Sequence, residues 1–264
     1  QIGYKTLDVK VLNAADYGVP QKRRRVIFIG YREDVTKPSY PSPTVSPDKY
    51  ITLEDAIGDL VAKSGKIEKT KYQIESINGR TPTVEGVPIG CNEIKNTELS
   101  RQTEIVRERF ELFEEGETGT NLKKRILSEG IDISDKPNLV SFCANKLELN
   151  NLEVIKLFKN KLATKEQVDI LLKKKNIRQK WSRKEPANTV LTIADDFISP
   201  WEPRSFSVRE MARCQSFDDS FEFLGKRTTG GLRRRVEVPQ YTQVGNAVPP
   251  LMAKAIAEEI LKVL

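Results

Sequence analysis

The chain has 264 residues, 44 Lys and Arg against 37 Asp and Glu, a formal net charge of +7 and no histidine. Lacking histidine, these residues offer neither His-based acid–base catalysis nor a His-ligated metal site, and no metal is expected. The positive balance suits a polyanionic partner, and the length suffices for one substantial core or two modest ones. Cys91, Cys143 and Cys214 are too irregularly spaced for a zinc or disulfide framework and read as reduced thiols, with a bacterial cytoplasm the expected setting. No stretch nears the roughly 18 apolar residues of a membrane-spanning helix, and the N-terminus carries no signal-peptide pattern.

Leu7, Val9 and Val11 alternate with Asp8 and Lys10, and Val26 to Ile29 form a continuous apolar run. The spacing predicts strand, long polar turn and strand, a hairpin-like edge of a larger sheet. Within the turn, period-2 alternation puts Gln21, Arg23 and Arg25 on one side and Lys22 and Arg24 on the other. Arginine's planar fork suits an anion or a base carbonyl, although a solvated basic turn fits the same composition. The chain opens at Gln1 in what reads as a helix end, so residues belonging before it are expected on another chain or removed.

After Arg32, Pro38, Pro41, Pro43 and Pro47 predict an extended linker. A short amphipathic helix should follow over 51–60, with Thr52 as N-cap, Asp55 three residues on, and Leu53, Ala56, Ile57 and Leu60 inward. Gly and Pro punctuate 79–92, and the charged segment 103–117 has helical character. A helical pair is predicted over 151–175. Its first member would face inward through Leu152, Ile155, Phe158 and Leu162, and its second, capped by Thr164 and Gln167, through Val168, Leu171 and Leu172. Such a pair is either plain core or a helix-turn-helix. The basic stretch from Lys173 to Lys184, with Arg178, Lys180, Trp181 and Arg183, is either a phosphate contact or a solvated surface. Pro186 to Thr192 has the β-branched content of a strand.

Ser207 and Glu210 form a capping box ahead of Val208, Met211, Ala212 and Gln215 at helical spacing. Arg209 and Arg213, one turn apart, could pair with acids or tie two domains together, and Cys214, inside the helix, should be inert through burial. Thr228 to Gly231 read as a flexible return, with Arg233, Arg234 and Arg235 placed to touch phosphate. Gln243 to Pro250 then lead into a helix over 250–263. Its inner face would be Leu251, Ala255, Ile256 and Ile260, with Glu258 and Lys262 paired outside. A Gly245-Asn246 corner before a proline-started helix allows close backbone approach and offers free amides to a carboxylate.

Three of these stretches resemble motifs of the DNA cytosine-5 methyltransferases. Asn13-Ala-Ala-Asp-Tyr-Gly-Val-Pro-Gln-Lys-Arg-Arg-Arg-Val-Ile-Phe-Ile-Gly30 is similar to the family's Gln-x-Arg-x-Arg segment (motif VIII), and Arg209 to Phe217 to its Arg-Glu-x-x-Arg-x-Gln-x-Phe motif IX. Gln243-Val-Gly-Asn-Ala-Val-Pro-Pro250 resembles motif X, and Pro186 to Thr192 the segment closing the family's target recognition domain. The resemblance covers residues 1–32 and 185–264 in the family's order. It implies that Arg25 hydrogen-bonds a flipped cytosine, with Arg23 and Gln21 in the pocket wall. It further implies that Asn246, Ala247 and Val248 touch S-adenosyl-L-methionine, and that Thr189 positions recognition loops near double-stranded DNA. Arg183, Lys184, Arg233 and Arg234 are the expected phosphate contacts.

In the family reaction a cysteine thiolate attacks C6 of the flipped base, a glutamic acid assists at N3, and C5 takes the methyl group. The Gly-rich cofactor loop, the Pro-Cys dipeptide and the Glu-Asn-Val segment of the family do not occur in this sequence. The chain alone is therefore expected to be inactive and unstable, working as a C-terminal subunit or fragment beside an N-terminal half that carries the cysteine. A non-catalytic DNA-binding module and an RNA cytosine-5 methyltransferase remain open. The expected fold is α/β: the C-terminal portion of a Rossmann-like methyltransferase domain (1–32 and 246–264) with a mixed α+β target recognition domain (33–245).

Overall fold

A computed structural model describes residues 3–61, 68–80, 82–173, 177–193, 196–228, 233 and 236–264. The chain divides into two compact units, residues 1–98, 183–193 and 207–264 in the first and 99–182 with 194–206 in the second. These bounds differ from the expected division at 32 and 245, because the linker and both C-terminal motifs fold with the N-terminal hairpin.

The first unit opens with the predicted hairpin, broken into two antiparallel pairs. Strands β1 (Tyr4–Thr6) and β2 (Lys10–Asn13) run back against β4 (Gly30–Arg32) and β3 (Arg24–Ile27) respectively. Leu12 faces Arg25 and Val11 faces Val26 across the second pair. The break between β1 and β2 changes the alternation: Leu7 and Leu12 are buried, while Val9 and Val11, expected on the Leu7 face, are exposed with Val26 and Phe28. The connecting turn is not the polar loop its composition suggests. Ala14–Tyr17 form a 3-10 turn closed by Gly18 at φ +77°, and Ala14, Tyr17 and Val19 are core, packed with Leu12 and Met252. Tyr17 donates to the Pro41 carbonyl at 3.1 Å and Tyr40 to that of Ile27 at 2.9 Å, which straps the proline-rich segment across the hairpin. That segment is irregular apart from a 3-10 turn at Pro47–Lys49, where Pro47 takes a first-turn position.

Helix α1 (Leu53–Ile57) carries the expected capping box of Thr52 and Asp55 and buries Leu53, Ala56 and Ile57. Helix α2 (Lys71–Asn78), not anticipated, is capped in the same way by Thr70 and Gln73.

The second unit is helical. Its elements are α3 (Glu104–Glu111), shorter than the charged pattern suggested, α4 (Gly119–Glu129), α5 (Pro137–Leu147), α6 (Asn151–Lys159) and α7 (Lys165–Leu172), with a two-residue parallel pair, β5 (Gln179–Lys180) and β6 (Phe197–Ile198). Phe110, Leu122, Ile126, Leu139, Phe158 and Leu171 lie in one apolar core. The capping box of Thr164 and Gln167 and the inward Val168, Leu171 and Leu172 are as expected. The face read for α6 is corrected: Val154 and Phe158 are buried and Leu152 and Leu162 exposed. Leu162 lies beyond the end of α6, so helical phase does not carry to it.

The tail of the basic stretch is structural. Arg178 is buried with its guanidinium over the Phe110 ring, Lys180 donates to the Phe113 carbonyl, and Trp181 stacks between Phe197 and Phe206. Lys174 and Lys175 lie outside the described residues.

Back in the first unit, α8 (Val208–Cys214) is capped by Ser207 and Glu210 as predicted and is buried along its length. Helix α9 (Gln240–Asn246) leads through a proline corner into α10 (Pro250–Leu261). Leu251, Ala255 and Ile256 pack on the hairpin core as expected, around a fully buried Met252. Lys262 pairs with Glu259, not Glu258, which instead lies 3.9 Å from Lys254. Pro186–Thr192 form no strand: their one ladder contact is a parallel bridge from Ala187 to Gln21. The architecture is mixed α/β, and among the described residues every sheet has two strands.

Candidate functional site

Gln21 and Arg23 follow the predicted alternation, but inward. Both are buried. The Gln21 carboxamide donates to the Cys214 carbonyl and the Gln215 side chain, both at 3.0 Å, and accepts from the Val190 amide at 2.8 Å. Gln215 in turn donates to the Val244 carbonyl at 2.7 Å. Arg23 donates to the carbonyls of Val190 (3.1 Å), Gly245 (2.8 Å) and Ala247 (3.3 Å). Burial, then the neighbouring Arg25 charge, lowers the Arg23 pKa to about 10, so the guanidinium stays charged at neutral pH. A buried cation whose two terminal nitrogens are held by three carbonyls fixes backbone, so Gln21 and Arg23 fasten the hairpin to residues 186–192, α8 and the α9–α10 corner.

Arg25 is separate from this hub. It lies exposed on β3, and its Nη1 donates to the Arg24 carbonyl at 2.7 Å. The guanidinium therefore presents its remaining donors outward, two residues beyond the fastened Arg23.

At the other end of the hub, Asn246 is exposed, Ala247 half-buried and Val248 60% exposed. The corner approaches residues 191–192 as closely as glycine permits: a Cβ on Gly245 would sit 2.8 Å from the Leu191 carbonyl. The free amides expected at the start of α10 are not all free, since Leu251 N donates to Ser216 Oγ at 3.1 Å. The corner thus presents an exposed carboxamide beside an exposed apolar side chain.

The expected DNA contacts are only partly gathered. The Thr189 hydroxyl donates to the Lys22 carbonyl at 3.0 Å, and Lys22 pairs with Glu185 at 2.6 Å, so Thr189 braces the hairpin itself. Arg183 and Lys184 are exposed just before Glu185, and the Arg183 carbonyl accepts from Glu54 N of α1. Arg233 is exposed, whereas Arg234 and Arg235, with much of the Thr228–Gly231 return, lie outside the described residues. Sequence reasoning placed Gln215 on the helical face and within the motif IX resemblance but missed the linking roles of Gln215 and Ser216, whose partners at Val244 and Leu251 are distant in the chain.

A family model for the C-5 cytosine-specific DNA methylases matches residues 1–262. The chain belongs to this family. It is similar to the type II methyltransferase M.DdeI of Desulfomicrobium norvegicum, 32% identical over 267 residues covering 98% of this chain and 55% of the relative. It is likewise similar to M.MthTI of Methanothermobacter thermautotrophicus, 31% identical over 271 residues, 99% of this chain and 57% of the relative. The chain thus spans little more than half the length of these methyltransferases. A crystal structure of a protein assigned as a DNA modification methyltransferase encoded within an E. coli prophage shares the fold at a TM-score of 0.57 and 20% identity, over 99% of this chain and 61% of that one.

Two of the three thiols of this DNA methylase family member are buried. Burial raises the Cys143 thiol to about 11, the Arg109 charge opposing it, and burial also pushes Cys214 up strongly. Cys91 is half-buried, with its Sγ 3.0 Å from the Glu93 carbonyl. Iodoacetamide at pH 8 is expected to label Cys91 and to spare Cys143 and Cys214 until denaturant is added, as peptide mass spectrometry would show. No helix among the described residues is long and apolar enough to cross a membrane.

Proposed function

We propose that this chain forms the target-base wall, the cofactor corner and the recognition portion of a cytosine-5 methyltransferase acting on a specific duplex DNA sequence. The observation that carries the reading is the Gln21–Arg23 hub, which ties the strand bearing exposed Arg25 to the corner at Asn246–Val248. Two ligands must meet in such a reaction, and a hub of buried hydrogen bonds holds one contact for each in a fixed relation. Arg25 is read as the donor to a cytosine rotated out of the duplex, with Arg183, Lys184 and Arg233 on flanking phosphates. This role for Arg25 replaces the expected shared face: Gln21 and Arg23 act through the backbone they hold, not by touching the base.

S-adenosyl-L-methionine would supply the methyl group, and the residues present fit part of its site. The Asn246 carboxamide would meet its amino-acid end, with Val248 giving apolar contact. The thiolate that attacks the base is proposed to come from protein outside these 264 residues, since Cys143 and Cys214 are buried with raised pKa values and the more accessible Cys91 follows Gly90, not the proline of the family's Pro-Cys dipeptide. The exposed apolar face of Val9, Val11, Val26 and Phe28 supports packing against that further protein, which would complete a Rossmann-like sheet. A bacterial cytoplasm suits such an enzyme.

The test is methyl transfer to duplex DNA by the complete enzyme carrying Arg25→Ala. Loss of one donor to the reacting group should lower the rate about a hundredfold. Because Arg25 is exposed, circular dichroism and melting should not change. An unaltered rate would remove Arg25 from the site, and a lowered rate with a lowered melting point would make it structural.

A further inference from the structure

Helix α10 lacks the means to cap its own start. Its N-cap is Pro249, which has no side-chain acceptor, and its first residue, Pro250, has no N–H. The first amide in need of a partner is that of Leu251, and it is met by Ser216 Oγ at 3.1 Å, from a residue 35 positions earlier that follows the end of α8. Ser216 is buried and holds a left-handed backbone at φ +65°, a conformation that costs a non-glycine residue free energy. Its neighbour Gln215 holds the Val244 carbonyl of α9. Two consecutive side chains thus grip the Asn246–Val248 corner from both sides, one on each flanking helix, and Gln215 also meets Gln21 of the hairpin.

We propose that Ser216 is a positioning residue for S-adenosyl-L-methionine, setting where the Asn246–Val248 corner stands relative to the Gln21–Arg25 strand. This rests on the cofactor role of the corner proposed above. A purely structural serine would be expected to favour glycine here, since glycine adopts positive φ without strain. A strained serine whose hydroxyl closes the neighbouring helix start is the feature that a positioning role explains.

Ser216→Gly and Ser216→Ala separate these possibilities. Both remove the hydroxyl, but glycine also relieves the backbone. In the complete enzyme, both should raise the KM for S-adenosyl-L-methionine about fivefold, the equivalent of one lost hydrogen bond, with kcat little changed. The glycine variant should melt no lower than the natural chain. Ser216→Asn, which tolerates the left-handed region and offers an acceptor, should recover much of the loss. Hydrogen exchange on the complete enzyme without substrate or cofactor gives an activity-free readout, with residues 247–253 exchanging faster in both hydroxyl-less variants. Unaltered exchange would overturn the proposal at the pin itself. Faster exchange with unaltered KM would overturn it through the cofactor role of the corner, and so distinguish the two failures.

Discussion

Replacing Arg213 with alanine is expected to destabilise the first unit by roughly 3–5 kcal/mol, the usual effect of stripping one partner from a buried ion pair. Arg213 is fully buried, and its guanidinium makes a two-pronged contact to Asp219 at 2.9 and 2.6 Å. It also reaches the Ala56 carbonyl and the Asp59 carboxylate, joining α8 to α1. Burial works to lower its pKa, and the hydrogen bonds and charges of Asp219 and Asp59 more than offset this, so the pKa is raised. Without Arg213 both carboxylates lose a buried cation, and Arg209, 3.7 Å from Asp219, is too committed to the Lys95, Asp218 and Phe221 carbonyls to take over. Urea unfolding would measure the loss. Pairing Arg213→Met with Asp219→Leu should recover part of it, because one of the two stranded charges is then gone and only Asp59 is left unpaired.

Gly245→Ala is expected to cost about 2–3 kcal/mol through overpacking, equivalent to a melting-point drop of roughly 5–10 °C. A Cβ there would stand 2.8 Å from both the carbonyl carbon and oxygen of Leu191 and 2.9 Å from Thr192 N. All three atoms are backbone, so no rotamer change makes room. A second variant checks the cause: Gly245→Ala with Leu191→Ala should be no more stable than Gly245→Ala alone. Recovery in the double variant would mean that side-chain crowding had been responsible. The same displacement would push the corner off Arg23, so cofactor affinity should fall with stability, unlike the separation expected at Ser216.

Local chemistry was legible in the sequence wherever a few neighbouring residues decide the outcome. The capping boxes at Thr52, Thr164 and Ser207 depend on a hydroxyl and a partner three residues on, and all three form. Motif resemblance found the family, and alternation correctly paired Gln21 with Arg23. What alternation could not say is which side of the strand is covered, because the partners of Arg23 lie 167 and 222 residues away at Val190 and Gly245. The same limit hid Ser216, whose local context is a helix end and whose role appears only against Leu251. Burial of Arg178 and Trp181 was masked by lysines nearby, since a charge run reads as surface until an aromatic such as Phe110 is seen to cover one member. The β-branched run before Thr192 had strand propensity, but Arg23 and Gln21 occupy the backbone groups of Val190 that a ladder would need.

The second unit is built from two separate stretches, 99–182 and 194–206, with the eleven residues 183–193 returning to the first unit between them. Exchanging the second unit by recombination is therefore not a single-cassette exchange. A foreign module joined only at 98 and 182 would arrive without β6 and Phe206, and so without the aromatic partners of Trp181. One carried across from 99 to 206 would replace Val190, the residue on which both Gln21 and Arg23 close. Productive chimaeras should therefore need crossovers at all four boundaries, or donors whose 183–193 segment already matches this hairpin.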